Sequence, residues 1–178
     1  FGAKVLHPST ILPAVSKNIP VKILNSRKFD GGGTLITASS PVDEPLAALA
    51  CKRHITVVDI TSTRMLMAHR FLARIFQAFE DYRTAVDVVT TSEVSVSVTI
   101  DDARRLPEIA ASLREVADVT REDKMAILCA VGEGLQRDPT FISQLLESLG
   151  SIPIRMLSQA AARRNITLVI READLESA

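Results

Sequence analysis

An acid placed inside an apolar strand is the feature of this chain most open to chemistry. Asp87 stands within Val86-Asp87-Val88-Val89, a run expected to form a buried strand, and an unpaired carboxylate is costly to bury. Its partner is a backbone amide, a nearby arginine or the cation of a ligand. A hydroxyl-rich connection follows, Thr90-Thr91-Ser92-Glu93-Val94-Ser95. Its hydroxyls serve either as turn residues or as donors to a carboxylate. Upstream, the segment from Met65 to Arg70 leads into a helix that carries Phe71 and Leu72, and the free backbone amides of a helix start favour a carboxylate. A carboxylate held there and an ammonium held at Asp87 together describe a site for a basic amino acid.

The other candidates read more plainly. Gly31-Gly32-Gly33 lacks the Lys-Ser/Thr of a P-loop and no helix follows it, so it is expected to be a turn between strands. His7, His54 and His69 lie far apart with no acid-base partner at a telling spacing. Cys51 and Cys129 sit in apolar strands and are expected to be packed thiols. Met65 and Met67 flank a loop and read equally as core or as cavity wall. Arg104-Arg105 and Arg163-Arg164 read as solvated faces.

The elements that must position Asp87 come from the apolar periodicity. Prolines break the first turns, then residues 20–24 and 34–37 read as strands, and Ser39-Ser40-Pro41-Val42-Asp43-Glu44-Pro45 reads as a linker. Beyond it lie a strand at residues 55–60, a helix face made by Phe71, Leu72, Ile75, Phe76 and Phe79, and a strand at 86–90. Val94, Val96, Val98 and Ile100 then alternate with hydroxyl residues as a half-buried strand. Leu106, Ile109 and Leu113 mark a second helix, and residues 116–120 a closing strand. That order, β-α-β-β-α-β, is the ferredoxin-like unit. The pattern repeats. Phe141, Ile142, Leu145, Leu146 and Leu149 reproduce the first helix face seventy positions on, and Ile166, Leu168 and Ile170 reproduce Val96, Val98 and Ile100 at the same interval. Ile154-Arg155-Met156-Leu157 answers Val86-Asp87-Val88-Val89, so Arg155 falls where Asp87 does and the two copies cannot hold the same charged ligand in the same way. The second copy lacks a final strand, which residues 46–50 are expected to supply. The expected fold is therefore α+β: two interlocked ferredoxin-like modules with antiparallel sheets. The boundaries are residues 1–40 as a separate leading segment, 53–120 as module one, and 46–52 plus 121–178 as module two.

Composition narrows the function. The 178 residues are 47% hydrophobic and 24% charged, which is a folding composition. Formal net charge is zero, so neither nucleic acid nor a membrane surface is an expected partner. No apolar run approaches the length of a bilayer span. Two cysteines and three histidines make neither a disulfide framework nor a zinc set. The chain begins with Phe1, so it is expected to be a piece of something longer or a processed product.

Several motifs carry a resemblance. Phe1-Gly2-Ala3-Lys4-Val5-Leu6-His7-Pro8, Ile19-Pro20-Val21 and Gly33-Thr34-Leu35-Ile36 resemble the end of an aspartate kinase catalytic domain. Phe71-Leu72-Ala73 and the run from Val86 through Thr90-Thr91-Ser92-Glu93-Val94-Ser95 to Asp101 resemble the first ACT domain of lysine-sensitive aspartate kinases. Ile154-Arg155-Met156-Leu157-Ser158 and Asn165-Ile166-Thr167-Leu168-Val169-Ile170 resemble the second. The resemblance spans nearly the whole chain, and Thr-Thr-Ser-Glu-Val-Ser is its most specific part. It implies a regulatory fragment of a cytoplasmic enzyme that phosphorylates the side-chain carboxylate of L-aspartate with MgATP. The ACT pair would form a homodimer, bind L-lysine at the dimer interface and switch off the kinase catalytic domain. Carried over by motif position, the effector site comprises Met65, Ala68, His69, Arg70, Phe71, Leu72, Val86, Asp87, Thr91 and Ser92, with Asp87 on the lysine ammonium. Arg70 and Ala68 depart from the family's usual Gly and Ser. Arg70 either blocks the ligand carboxylate or supplies a bidentate partner for it. The family's phosphate-binding Lys-Phe-Gly-Gly motif is absent, so the chain alone is expected to be non-catalytic, with no catalytic residue, no metal and no cofactor of its own. The alternatives are a purely structural dimerisation module, threonine as effector, or a piece that completes an active site with a separate catalytic chain.

Overall fold

The computed structural model describes residues 6–28, 30–37, 46–62, 70–132, 135, 139–159 and 164–178. The chain divides into two compact units, Gly2–Glu44 and Pro45–Ala178. In the first, helix α1 (Pro8–Ser16) is capped by His7, whose side chain accepts from the Ser9 backbone N–H. Strands β1 (Val21–Ile23) and β2 (Thr34–Ile36) pair antiparallel. The glycine triplet lies between them, but the turns there fall on Ser26–Arg27 and on the Lys28–Gly31 segment, where the Gly31 N–H donates to the Lys28 carbonyl at 3.2 Å. Gly33 has φ +64, and a Cβ there would stand 2.4 Å from the Ile23 carbonyl oxygen, so no other residue fits.

The second unit runs β3 (Ala48–Ser62), α2 (Phe71–Asp81), β4 (Val89–Thr91), β5 (Ser95–Ile100), α3 (Leu106–Leu113), β6 (Ala117–Val131), α4 (Pro139–Leu149), β7 (Met156–Ser158) and β8 (Asn165–Arg171), and ends in a 3-10 turn (Glu172–Asp174). One antiparallel sheet holds the order β4-β5-β3-β6-β8-β7. Two ferredoxin-like modules share it. In the first, β4, β5 and the later half of β3 meet the early half of β6. In the second, β7, β8 and the later half of β6 meet the early half of β3, with Ala48 opposite Val131 and Lys52 opposite Ile127. Each module thus borrows a strand end from the chain of the other.

The sequence breaks these long strands into shorter ones, at residues 46–50 and 55–60 and at 116–120, whereas β3 and β6 each run for 15 residues. Irregularities in the β3–β6 ladder let one strand serve both modules without a turn. His54 and Lys124, seventy positions apart, have φ of +60 and +59 beside them.

Alternation divides the core by face. On one face Val58, Ile60, Val96, Val98 and Ile100 pack under Ile75 and Phe79 of α2 and Ile109 and Leu113 of α3. Ala126, Leu128, Leu168 and Ile170 pack with Leu149 of α4. The opposite face gathers Ile55, Val57, Val88, Met125, Ile127, Met156 and Val169, drawn from both modules. The end strands β4 and β7 are in contact, so the sheet curls around this shared cluster. Two expectations fail here. Leu72 and Phe76 stay 44% and 41% exposed, because the buried stripe of α2 is Ile75, Ala78 and Phe79. Cys51 is exposed although Cys129 is buried, because residues 48–52 of β3 pair with β6 and have no strand on their other side.

Candidate functional site

Asp87 is not enclosed in a buried strand. Strand β4 begins only at Val89, and residues 86–88 approach it as an edge segment moored to Thr99. The Asp87 N–H donates to the Thr99 carbonyl at 3.0 Å, and the Thr99 N–H donates to the Val88 carbonyl at 2.9 Å. The fully buried Thr99 hydroxyl accepts the Val88 N–H at 2.8 Å. With its backbone fixed this way, Asp87 turns its carboxylate to the rim of the sheet, where its side chain is 21% exposed.

The partner is a lysine from the other module's strand end. Lys52 Nζ donates to Asp87 Oδ2 at 2.6 Å and lies 3.0 Å from Asp101 Oδ2. Desolvation pulls the Lys52 pKa down, but the hydrogen bonds it donates to Asp87 and Asp101 outweigh this and hold the ammonium above its ordinary value. The second module carries the same arrangement with its charges exchanged. Arg155 donates its backbone N–H to the Val169 carbonyl, as its counterpart Asp87 does to the Thr99 carbonyl in the first module. Its guanidinium pairs with Glu122 at 3.0 Å and with Asp59. Glu122 is the repeat equivalent of Lys52. A cation on the long strand with an acid at the edge in one module becomes an acid on the strand with a cation at the edge in the other.

The sequence-derived site residues divide into four groups. Met65, Ala68 and His69 lie outside the described residues. Phe71 and Val86 both pack against the first module's core cluster, immediately beside Leu72 and Asp87 in the chain. Arg70 forms the N-cap of α2 with an exposed side chain that makes no capping hydrogen bond. Thr91 and Ser92 lie beyond Asp87, where β4 turns into β5. Ser92 is a turn residue: its Oγ lies 2.7 Å from Ser95 Oγ and accepts the Ser95 N–H at 3.1 Å. Among the described residues no hydrogen bond links Asp87 to Arg70, Thr91 or Ser92. Sequence reasoning missed Lys52 and Asp101. The signal was present in the repeat itself, since Lys52 and Asp87 recur as Glu122 and Arg155 with both signs reversed.

Among the described residues no cluster of three or more His, Cys, Asp or Glu could hold a metal ion, and no helix is long and apolar enough to cross a membrane.

The ACT domain family matches residues 128–178. Aspartokinase 2, chloroplastic, of Arabidopsis thaliana is 35% identical over 190 residues, covering 99% of this chain and 35% of its own length. A crystal structure of E. coli aspartokinase III in complex with lysine and aspartate (T-state) matches with a TM-score of 0.84 at 31% identity, over 97% of this chain and 40% of that one. A structure described as a proposed C-terminal regulatory domain of aspartate kinase from Porphyromonas gingivalis matches with a TM-score of 0.65 at 35% identity, over 72% of this chain and 88% of that one. The chain therefore spans about a third of the curated relative and most of the isolated regulatory domain.

Proposed function

The chain belongs to the aspartokinase family, in the regulatory region that carries its ACT domains, and from that premise we propose that it binds a basic amino acid, L-lysine first, as an allosteric effector at Asp87. The observation that carries this reading is the Lys52–Asp87 contact: the carboxylate is fixed by its backbone, open at the sheet rim and already shaped around an alkylammonium at 2.6 Å. A free lysine would place its ammonium there. The Arg70–Phe71–Leu72 end of α2, with its amides and an uncapped guanidinium, would take the carboxylate. The E. coli relative seen with lysine and aspartate adds support from outside the chain.

The whole protein would phosphorylate the side-chain carboxylate of L-aspartate with MgATP. This region would dimerise and inhibit the kinase domain by binding lysine better in one dimer arrangement than in another. The exposed Leu72 and Phe76 suit burial against a second copy of α2. Calorimetric titration with L-lysine, with L-threonine and L-methionine as controls, tests the reading. Saturable lysine binding that disappears in Asp87→Ala is the expected result. Lysine affinity unchanged in that variant refutes the site.

One observation favours a second reading. Asp87 already has an internal counter-ion, so the module could serve dimerisation alone. Dimerisation indifferent to every amino acid tested would move that reading forward.

A further inference from the structure

Asp87 is spoken for, and what holds it bears on any cationic ligand that would use it. Lys52 comes from the half of β3 that completes the second module's sheet, yet its ammonium reaches two carboxylates of the first, Asp87 at 2.6 Å and Asp101 at 3.0 Å. Two acids share one cation, so the cluster keeps one unbalanced negative charge and can accept a second ammonium. The side chains of Lys52, Asp87 and Asp101 are 31%, 21% and 48% exposed, which leaves all three room to rearrange. Asp101 gives Lys52 a second seat when Asp87 is taken.

We propose that Lys52 is a tethered competitor for the effector ammonium, a specificity-setting residue that the ligand must displace from Asp87 onto Asp101. This rests on the reading of Asp87 as the effector carboxylate. It explains why the acid can be kept at the rim without a ligand: the internal ammonium satisfies it in the unliganded state. It sets a threshold as well, because only a ligand whose cation outcompetes Lys52 binds, and a neutral amino acid gains nothing by displacing it. The exchange also moves a side chain rooted in the second module's sheet in response to an event at the first module's edge. In the second module the edge group is itself the cation: Arg155 lies between Glu122 and Asp59, so the acids stand on the long strands and not at the edge.

The test titrates L-lysine into the 178-residue chain as wild type, Lys52→Met, Lys52→Gln, Asp101→Asn and the Lys52→Met/Asp101→Asn double variant, with L-norleucine, lysine without its side-chain ammonium, run in parallel. Removing Lys52 should tighten lysine binding about fivefold, equivalent to about 1 kcal/mol, and leave norleucine unaffected. Asp101→Asn should weaken lysine binding about threefold with Lys52 present, and the double variant should bind as Lys52→Met does. Lysine affinity that is unchanged or weaker in both Lys52 variants overturns the proposal. If wild type binds lysine and Asp87→Ala does not, while the Lys52 variants match wild type, this inference alone falls. If no variant binds lysine, the effector reading falls with it.

Discussion

Thr99 is where the first module's geometry is most exposed to a single substitution. Thr99→Val keeps the shape and volume of a fully buried side chain, so it opens no cavity. The two main-chain bonds between Thr99 and residues 87–88 do not involve the hydroxyl and persist. What disappears is the acceptor for the Val88 N–H, now at 2.8 Å, in a residue only 7% exposed where water cannot replace it. A buried donor left unmade costs about 1–3 kcal/mol. In a unit of this size each kcal/mol is worth about 2–4 °C, so Thr99→Val should melt roughly 4–8 °C below wild type at the middle of that range. Thr99→Ser is the control. It keeps the acceptor and loses a methyl, for about 1 kcal/mol. Differential scanning calorimetry and urea titration read both. Thr99→Val should be the more damaging, although by hydrophobicity alone it is the milder change. If Thr99→Val is as stable as wild type while Thr99→Ser is not, the hydroxyl does not moor the Asp87 segment and the account of how that acid is positioned is wrong.

Two further outcomes follow from the same structure. Arg104 side-chain and backbone hydrogen bonds hold the Asp102 carboxyl down at about 2, against an ordinary 3.8. A depressed carboxyl contributes stability that is present above its unfolded value and lost as pH falls through its folded one, so this contribution fades between about pH 4 and pH 2. Carbon-detected NMR titration should place Asp102 near that low midpoint, and Arg104→Ala should return it toward the ordinary value; an Asp102 already titrating normally in wild type contradicts the pairing. Lys124 has φ +59 at the β6 irregularity, where a residue with a Cβ is strained by about 1–2 kcal/mol. Lys124→Gly should raise the unfolding free energy read by urea titration by about 0.5–1 kcal/mol once the glycine's own entropy is subtracted, and a loss of stability would show that the Lys124 side chain contributes more than its backbone costs.

What could be read from the sequence followed from whether the controlling interaction was local. Val96, Val98 and Ile100 announce β5 because their alternation is set by the pleat, and the α2 and α4 faces repeat because both helices pack on equivalent sheet faces. The joining of residues 48–62 into one strand was not legible, because continuity across His54 depends on β6 lying alongside, and β6 comes much later in the chain. Asp87 stands out in the sequence as an acid in need of a partner, but the partner is a lysine of the chain, which the sequence reading did not offer, and its surroundings differ from those expected. An apolar run normally signals a buried strand, whereas here the run lies at the sheet's edge with β5 on one side only, and the Thr99 hydroxyl of β5 takes the Val88 N–H. Lys52 was illegible for the same reason as strand continuity: it reaches Asp87 only because β3 carries it out of the second module's sheet.

The exchanged charges bear on how a duplicated fold comes to hold one kind of site. Two identical modules side by side would put like charges at equivalent rims. With acids at both edges and cations on both strands, either edge could hand its acid to a cationic ligand. Reversing the signs in one copy keeps each edge tied to the long strand that crosses between modules, Asp87 to Lys52 and Arg155 to Glu122. On the proposed reading, the first edge, where the acid is the edge group, would trade its internal cation for an external one. Half-exposed pairs of this kind contribute little to stability, about 0–1 kcal/mol each. Stability therefore does not explain an arrangement repeated with both signs inverted. On the proposed reading the Coulombic work is discrimination: a weak internal pair would be displaced by a ligand of the right charge at small cost, and that small cost would keep the equilibrium between bound and unbound arrangements close enough for an amino acid to tip.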